Sequence, residues 1–130
     1  MKVELSKYRV IPGKERRVDA WIDALKRRYE EALETLEREE MQVEVIFREV
    51  EGDEHFLFWF TIQRETGADV ETSPHDLDKV HIDFWNECID KTYEPRESVA
   101  QLALVPRRIS RAAGWGETER WLDEEDGSAS

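Results

Sequence analysis

His81 is the residue in this sequence best placed to do chemistry. It stands in the series Leu77, Val80, His81, Phe84, Trp85, Cys88 and Ile89, whose steps of three and four draw one stripe of a helix. The imidazole is therefore expected to face the interior. Asp78, three residues earlier, is placed to hold one ring nitrogen and fix the tautomer, and Trp85, four residues later, lies on the same side. Beside an open cleft, His81 would serve as a general acid/base or as a haem ligand. In a closed interior it is a core histidine, hydrogen-bonded to backbone or to Asp78.

The aromatic residues are the second chemical signal. Five tryptophans stand in 130 residues. Trp59, Trp85, Tyr8, Trp21 and Phe84 are the candidate walls of a ligand site, with Phe58 beside them and with Tyr8, Arg9 and Tyr29 as its polar groups. The same residues would equally serve a bulky core and a dimer interface. An open, aromatic-lined space beside His81 separates the two readings.

Several chemistries are excluded by spacing. His81 and Cys88 share a helix face, but seven residues span about 10 Å of rise, too far for one metal ion. No Cys-x-x-Cys, His-x-x-x-His or paired-carboxylate pattern occurs, so no metal site is expected. Ser6, Ser73, Ser98 and Ser110 lack an elbow motif, and Gly13 and Gly67 stand alone rather than in a phosphate loop. Cys88 reads as a buried, inert thiol. His75 falls in the first turn of its helix, where the dipole disfavours a cation, and His55 falls at an exposed hairpin. The net charge of −12 argues against a nucleic-acid partner, which requires a basic face. No apolar run approaches the roughly 20 residues of a membrane span. The opening Met1-Lys2-Val3-Glu4-Leu5 lacks the apolar stretch of a secretory signal, and the expected location is cytoplasmic.

The elements that must position these residues follow from periodicity. Residues 2–11 read as a strand stopped by Pro12-Gly13, and residues 14–39 as one long helix with a stripe from Val18 through Trp21 and Leu25 to Leu36. Residues 41–50 alternate, with Met41, Val43, Val45 and Phe47 on one face. The turn Glu51-Gly52-Asp53-Glu54 leads into a strand over 55–64, making a hairpin. Ser73-Pro74 starts a helix that runs to about Lys91. A turn around Pro95 precedes a last strand over 98–109. The predicted organisation is a domain over 1–112 and an acidic tail over 113–130, in which Trp115 and Trp121 point to docking rather than full disorder.

The order β-α-β-β-α-β predicts an α+β, ferredoxin-like fold: an antiparallel sheet with two helices on one face. Both faces of the sheet are apolar, so a second copy of the chain is the expected partner, packed sheet to sheet as a homodimer. The segment Tyr8-Arg9-Val10-Ile11-Pro12-Gly13-Lys14 resembles the strand-to-helix junction of the dimeric α/β-barrel superfamily, which includes antibiotic-biosynthesis monooxygenase-like proteins. Element order and length resemble it over residues 1–110, and the chain looks like an uncharacterised family within it. The resemblance implies a dimeric barrel that binds or turns over a small apolar or aromatic molecule by cofactor-free oxygenation or isomerisation, or a non-catalytic ligand-binding or interaction dimer. The haem-degrading branch typically places an Asn on the first strand, a Trp on the third and a His on the second helix. Here Trp59 and His81 (or His75) match, while the first strand offers Ser6 and Lys7 and no Asn. The sequence itself requires no cofactor.

Overall fold

A computed structural model of the chain describes residues 2–63 and 76–115. Eight elements follow one another: β1 (Lys2–Arg9), α1 (Glu15–Arg27), α2 (Tyr29–Arg38), β2 (Met41–Glu51), β3 (Glu54–Gln63), α3 (Asp76–Cys88), β4 (Arg96–Ser98) and α4 (Arg107–Ala112). The strands form one open sheet in the order β2-β3-β1-β4, and every neighbouring pair is antiparallel. This α+β arrangement is compatible with a ferredoxin-like fold.

Alternation along the strands sorts the sheet into two faces. Across β2, β3 and β1, the rows Val43–Ile62–Val3, Val45–Phe60–Leu5 and Phe47–Phe58–Lys7 share one face. The rows Glu44–Thr61–Glu4, Ile46–Trp59–Ser6 and Arg48–Leu57–Tyr8 share the other. The hairpin closes through Gly52 at φ +62, a left-handed conformation that a two-residue loop demands and glycine adopts freely. The register slips between Met41 and Val43. That bulge turns Met41 to the side of Glu44, away from Val43, where strict alternation had placed it.

The helices pack on the Trp59 face. Val18 and Trp21 of α1, Leu57 and Trp59 of β3, Val10, Cys88 and Ile89 form the core cluster. Trp21, Leu57, Leu77, Val18 and Cys88 are the largest fully buried side chains. Each such residue contributes roughly 1.5–3 kcal/mol on leaving water. The end of α3 is stitched to the end of β1 by backbone bonds from Ile11 N–H to the Cys88 carbonyl (2.8 Å) and from Asp90 N–H to the Arg9 carbonyl (2.8 Å).

Two elements depart from the sequence reading. The helix expected over 14–39 breaks at Arg28 (φ −106, ψ 39), whose guanidinium binds Glu31 and Asp76. Two helices result, α1 and α2. The strand expected over 98–109 shrinks to Arg96–Ser98, which pairs with Leu5, Ser6 and Lys7. Val99, Leu102 and Leu104 then run with 71–83 % exposure beside the outer sheet face, lining a groove with Val3, Leu5, Phe60 and Ile62. Pro106, extended at ψ 144, starts α4 rather than ending a strand. That helix ends in a Schellman motif: Gly114 takes φ +78, and the Trp115 and Gly114 N–H groups bind the Ser110 and Arg111 carbonyls. Trp115 is buried. The rest of the predicted tail, with Trp121, lies outside the described residues, as do the predicted start of α3 at Ser73-Pro74 and His75.

Candidate functional site

A cleft of about 780 Å³ opens between the helices and the sheet. Its floor is the face that carries the Glu44, Trp59 and Tyr8 rows. Its roof is α1 and α2, through Ile22, Leu25, Ala32, Leu33 and Leu36, and its end wall is α3, through Leu77, Asp78, His81 and Trp85. The break at Arg28 brings α2 over this space. Tyr29, 59 % exposed, stands at its mouth.

Four of the predicted site residues meet here: His81, Trp59, Trp85 and Tyr8 all line the cleft. Their rings are in mutual contact. Tyr8 meets Trp85 edge-on at 4.7 Å between centroids, Trp59 meets Trp85 at 5.6 Å, and Trp59 meets His81 at 5.6 Å. Trp21 and Phe84 stand elsewhere. Trp21 is fully buried behind His81, and Phe84 stacks on Trp21 with the Arg17 guanidinium over its outer side. Both support the site from behind rather than lining it. Arg9 also points away, to Asp90 and Glu54. His55 is half-buried rather than exposed.

His81 is held by Trp21 and not by Asp78. The Trp21 indole N–H donates to Nδ1 at 3.1 Å. Nδ1 is therefore an acceptor, and the neutral ring carries its proton on Nε2. Burial lowers the His81 pKa to about 4, against a smaller opposing pull from the Asp78 charge. At neutral pH this imidazole is a hydrogen-bond donor. A group so far from neutrality makes a poor acid/base catalyst there.

The polar residues that sequence reasoning missed are the Glu44 and Glu4 carboxylates, and it names Asp78 only as the holder of His81. Glu44 and Glu4 flank Thr61 in one row of the floor, and Asp78 faces the cleft from the first turn of α3. Glu44 lines the cleft and is exposed to its water. Desolvation holds its carboxyl above the usual range, a bond from the Trp59 side chain works the other way, and the Asp78 charge adds to the rise. Asp78 is 4 % exposed, and its Oδ2 has no hydrogen-bond partner. Glu4 pairs with Lys2 at 3.2 Å. Burial, the largest cause, raises the Tyr8 hydroxyl pKa. Alternation already placed Glu44 opposite Val43 and Val45, so its facing the helices was readable. The convergence of Asp78 on the same space was not, because it depends on how α3 lies over the sheet.

The chain belongs to a family of unknown function, DUF6176, which it matches over residues 1–111. No curated protein and no solved structure matches it. The match spans every described element through most of α4, so the cleft lies wholly within the family's shared region. Among the described residues, no group of three His, Cys, Asp or Glu side chains could hold a metal ion, and no helix is long and apolar enough to cross a membrane. The lining does not fit haem. Six acidic and two basic side chains line the cleft, and one of the basic ones, Arg48, is bound to Asp19 and the Glu15 carbonyl. A haem brings two carboxylates of its own, which this excess of acids would repel.

Proposed function

We propose that this chain is a small-molecule-binding protein of the dimeric α/β-barrel kind, and that its cleft takes a ligand with an apolar or aromatic body. The observation that carries the reading is the open space beside His81, walled by Tyr8, Trp59 and Trp85. A histidine serving only as core filling would have no such volume next to it. Two features support the superfamily assignment: the Val10-Ile11-Pro12-Gly13-Lys14 junction and the strand order β2-β3-β1-β4, which is that of a ferredoxin-like sheet. The outer face supports the dimer. Val45, Phe47, Val99, Leu102 and Leu104 are all 37 % exposed or more on the single chain, and a second sheet packed there would cover them.

A second reading, isomerisation of the bound molecule by proton transfer, rests on Glu44. Its carboxyl lines the cleft and is held above the usual carboxylate range, whereas the His81 imidazole is held well below its own. Under this reading, Glu44→Gln abolishes turnover of an identified ligand while His81→Ala leaves most of it.

Native mass spectrometry of the protein purified without added cofactor tests the main reading. The expected species has twice the chain mass plus a small ligand. A ligand-free dimer that takes up no aromatic compound would overturn the binding role, and a monomer at micromolar concentration would overturn the dimer.

A further inference from the structure

We infer that the ligand of this cleft is an organic cation, an amine with an aromatic or apolar body, whose ammonium group sits between Asp78 and Glu44. The inference rests on the binding role proposed above and names the ligand's charge.

The decisive group is Asp78. A buried carboxylate oxygen is normally paired, because leaving one bare in a low-dielectric setting is costly. Asp78 lines the cleft with only 4 % of its surface exposed, and its buried Oδ2 meets no donor. The two groups that feel its charge, His81 and Glu44, do not supply one. The His81 Nδ1 accepts from Trp21 and its Nε2 proton does not reach Oδ2, and Glu44 is an acid itself. Asp78 and Glu44 repel each other across the cleft, and that repulsion is one reason the Glu44 carboxyl resists ionisation. A cation placed between them removes the repulsion and fills the empty acceptor in one step.

The surroundings select the rest of the ligand. Tyr8, Trp59 and Trp85 offer ring faces and edges beside the carboxylates, a setting that attracts an ammonium group and packs an aromatic body. The chain offers little competition for the acids. Arg48 is committed to Asp19, and Lys26 is exposed. With six acids against two bases in the lining and a net charge of −12 on the chain, the field steers cations inward and anions away. The absence of a three-ligand cluster among the described residues favours an ammonium over a metal ion.

The test uses three probes of one shape: 2-phenylethylamine, 2-phenylethanol and 3-phenylpropionate, titrated by calorimetry and by tryptophan fluorescence. The amine is expected to bind at least about tenfold more tightly than the alcohol, and the propionate most weakly. Asp78→Asn is expected to bring the amine down to the alcohol's affinity without changing the alcohol, and Glu44→Gln to weaken the amine in part. Both substitutions conserve shape, and thermal unfolding confirms that each variant folds. If the alcohol binds as tightly as the amine, or if Asp78→Asn keeps the amine preference, the cation assignment is overturned while the aromatic cleft stands. If none of the three binds, both fall.

Discussion

The Trp21 indole N–H and the His81 Nδ1 lie 3.1 Å apart, and that one bond fixes what His81 can do. Protonating Nδ1 would set one N–H against another, so the ring resists becoming an imidazolium for a geometric reason as well as through burial. Trp21→Phe keeps a buried ring and removes the donor. The His81 pKa, about 4 in the native chain, should then rise. Nitrogen chemical shifts of the imidazole across a pH titration measure it, and an unchanged value would mean that burial alone sets the pKa.

The same histidine shapes stability against pH. Its folded pKa lies below its unfolded value of 6.5, so the unfolded chain binds the extra proton between pH 6.5 and about 4. The contribution is complete above pH 6.5 and is lost as pH falls through that window. Asp90, lowered to about 2 chiefly by its bonds from Thr92 and Arg9, adds a loss below pH 3.8. Glu44 has the opposite sign: its raised carboxyl favours the folded state at low pH and loses that contribution as pH rises past 4.5. Urea unfolding at pH 7 and pH 5 should therefore show a loss on the order of 1–2 kcal/mol. His81→Gln, which keeps an acceptor for Trp21, should flatten most of it. An equal loss in the variant would remove His81 as the cause.

What could be read from the chain divides along the line between local and long-range order. Alternation from Val43 to Phe47 and from Phe56 to Gln63 defined the hairpin, and Gly52 marked its turn. Those signals are local, and the strands stand where alternation puts them. The stripe through Val18, Trp21 and Leu25 gave the face of α1, but nothing in its spacing marked the break at Arg28, which depends on Glu31 and on Asp76 from another element. The apolar residues Val99, Leu102, Leu104 and Val105 looked like a strand because hydrophobicity alone does not say what a residue will be buried against. At the site, His81 and the walls at Trp59, Trp85 and Tyr8 could be named from their stripes. The partner of Nδ1 could not, because Trp21 and His81 are 60 residues apart and meet only once two helices share the sheet.

Arg9 and Asp90 join the two halves of the fold. The Asp90 Oδ2 accepts from Arg9 at 2.8 and 3.0 Å, and its Oδ1 accepts from the Thr92 backbone and hydroxyl. One carboxylate thus pins the exit of α3 to the end of β1 and shapes the turn toward β4. Asp90→Ala should lower the melting temperature by several degrees at pH 7 and much less at pH 2, where the native carboxylate is itself half protonated. Equal losses at both values would show that the turn, not the charge, matters. The cleft lies on the far side of Tyr8, so affinity for a bound amine should hold in this variant.

Phe47 offers a direct test of the outer face. It stands in the row Phe47–Phe58–Lys7, 53 % exposed, and neighbours Val45 on the same strand face. On a single chain, a glutamate at position 47 meets water, so the fold should tolerate it within about 0.5 kcal/mol. In a sheet-to-sheet dimer the same carboxylate would face its copy across an apolar contact and lose its hydration. Phe47→Glu should therefore convert a dimer into a monomer, seen by light scattering after size exclusion, while its melting temperature becomes independent of protein concentration. A variant that remains dimeric would place the contact elsewhere. The exposed run Val99 to Leu104 would be the next surface to test, since it carries the most exposed large apolar side chains among the described residues.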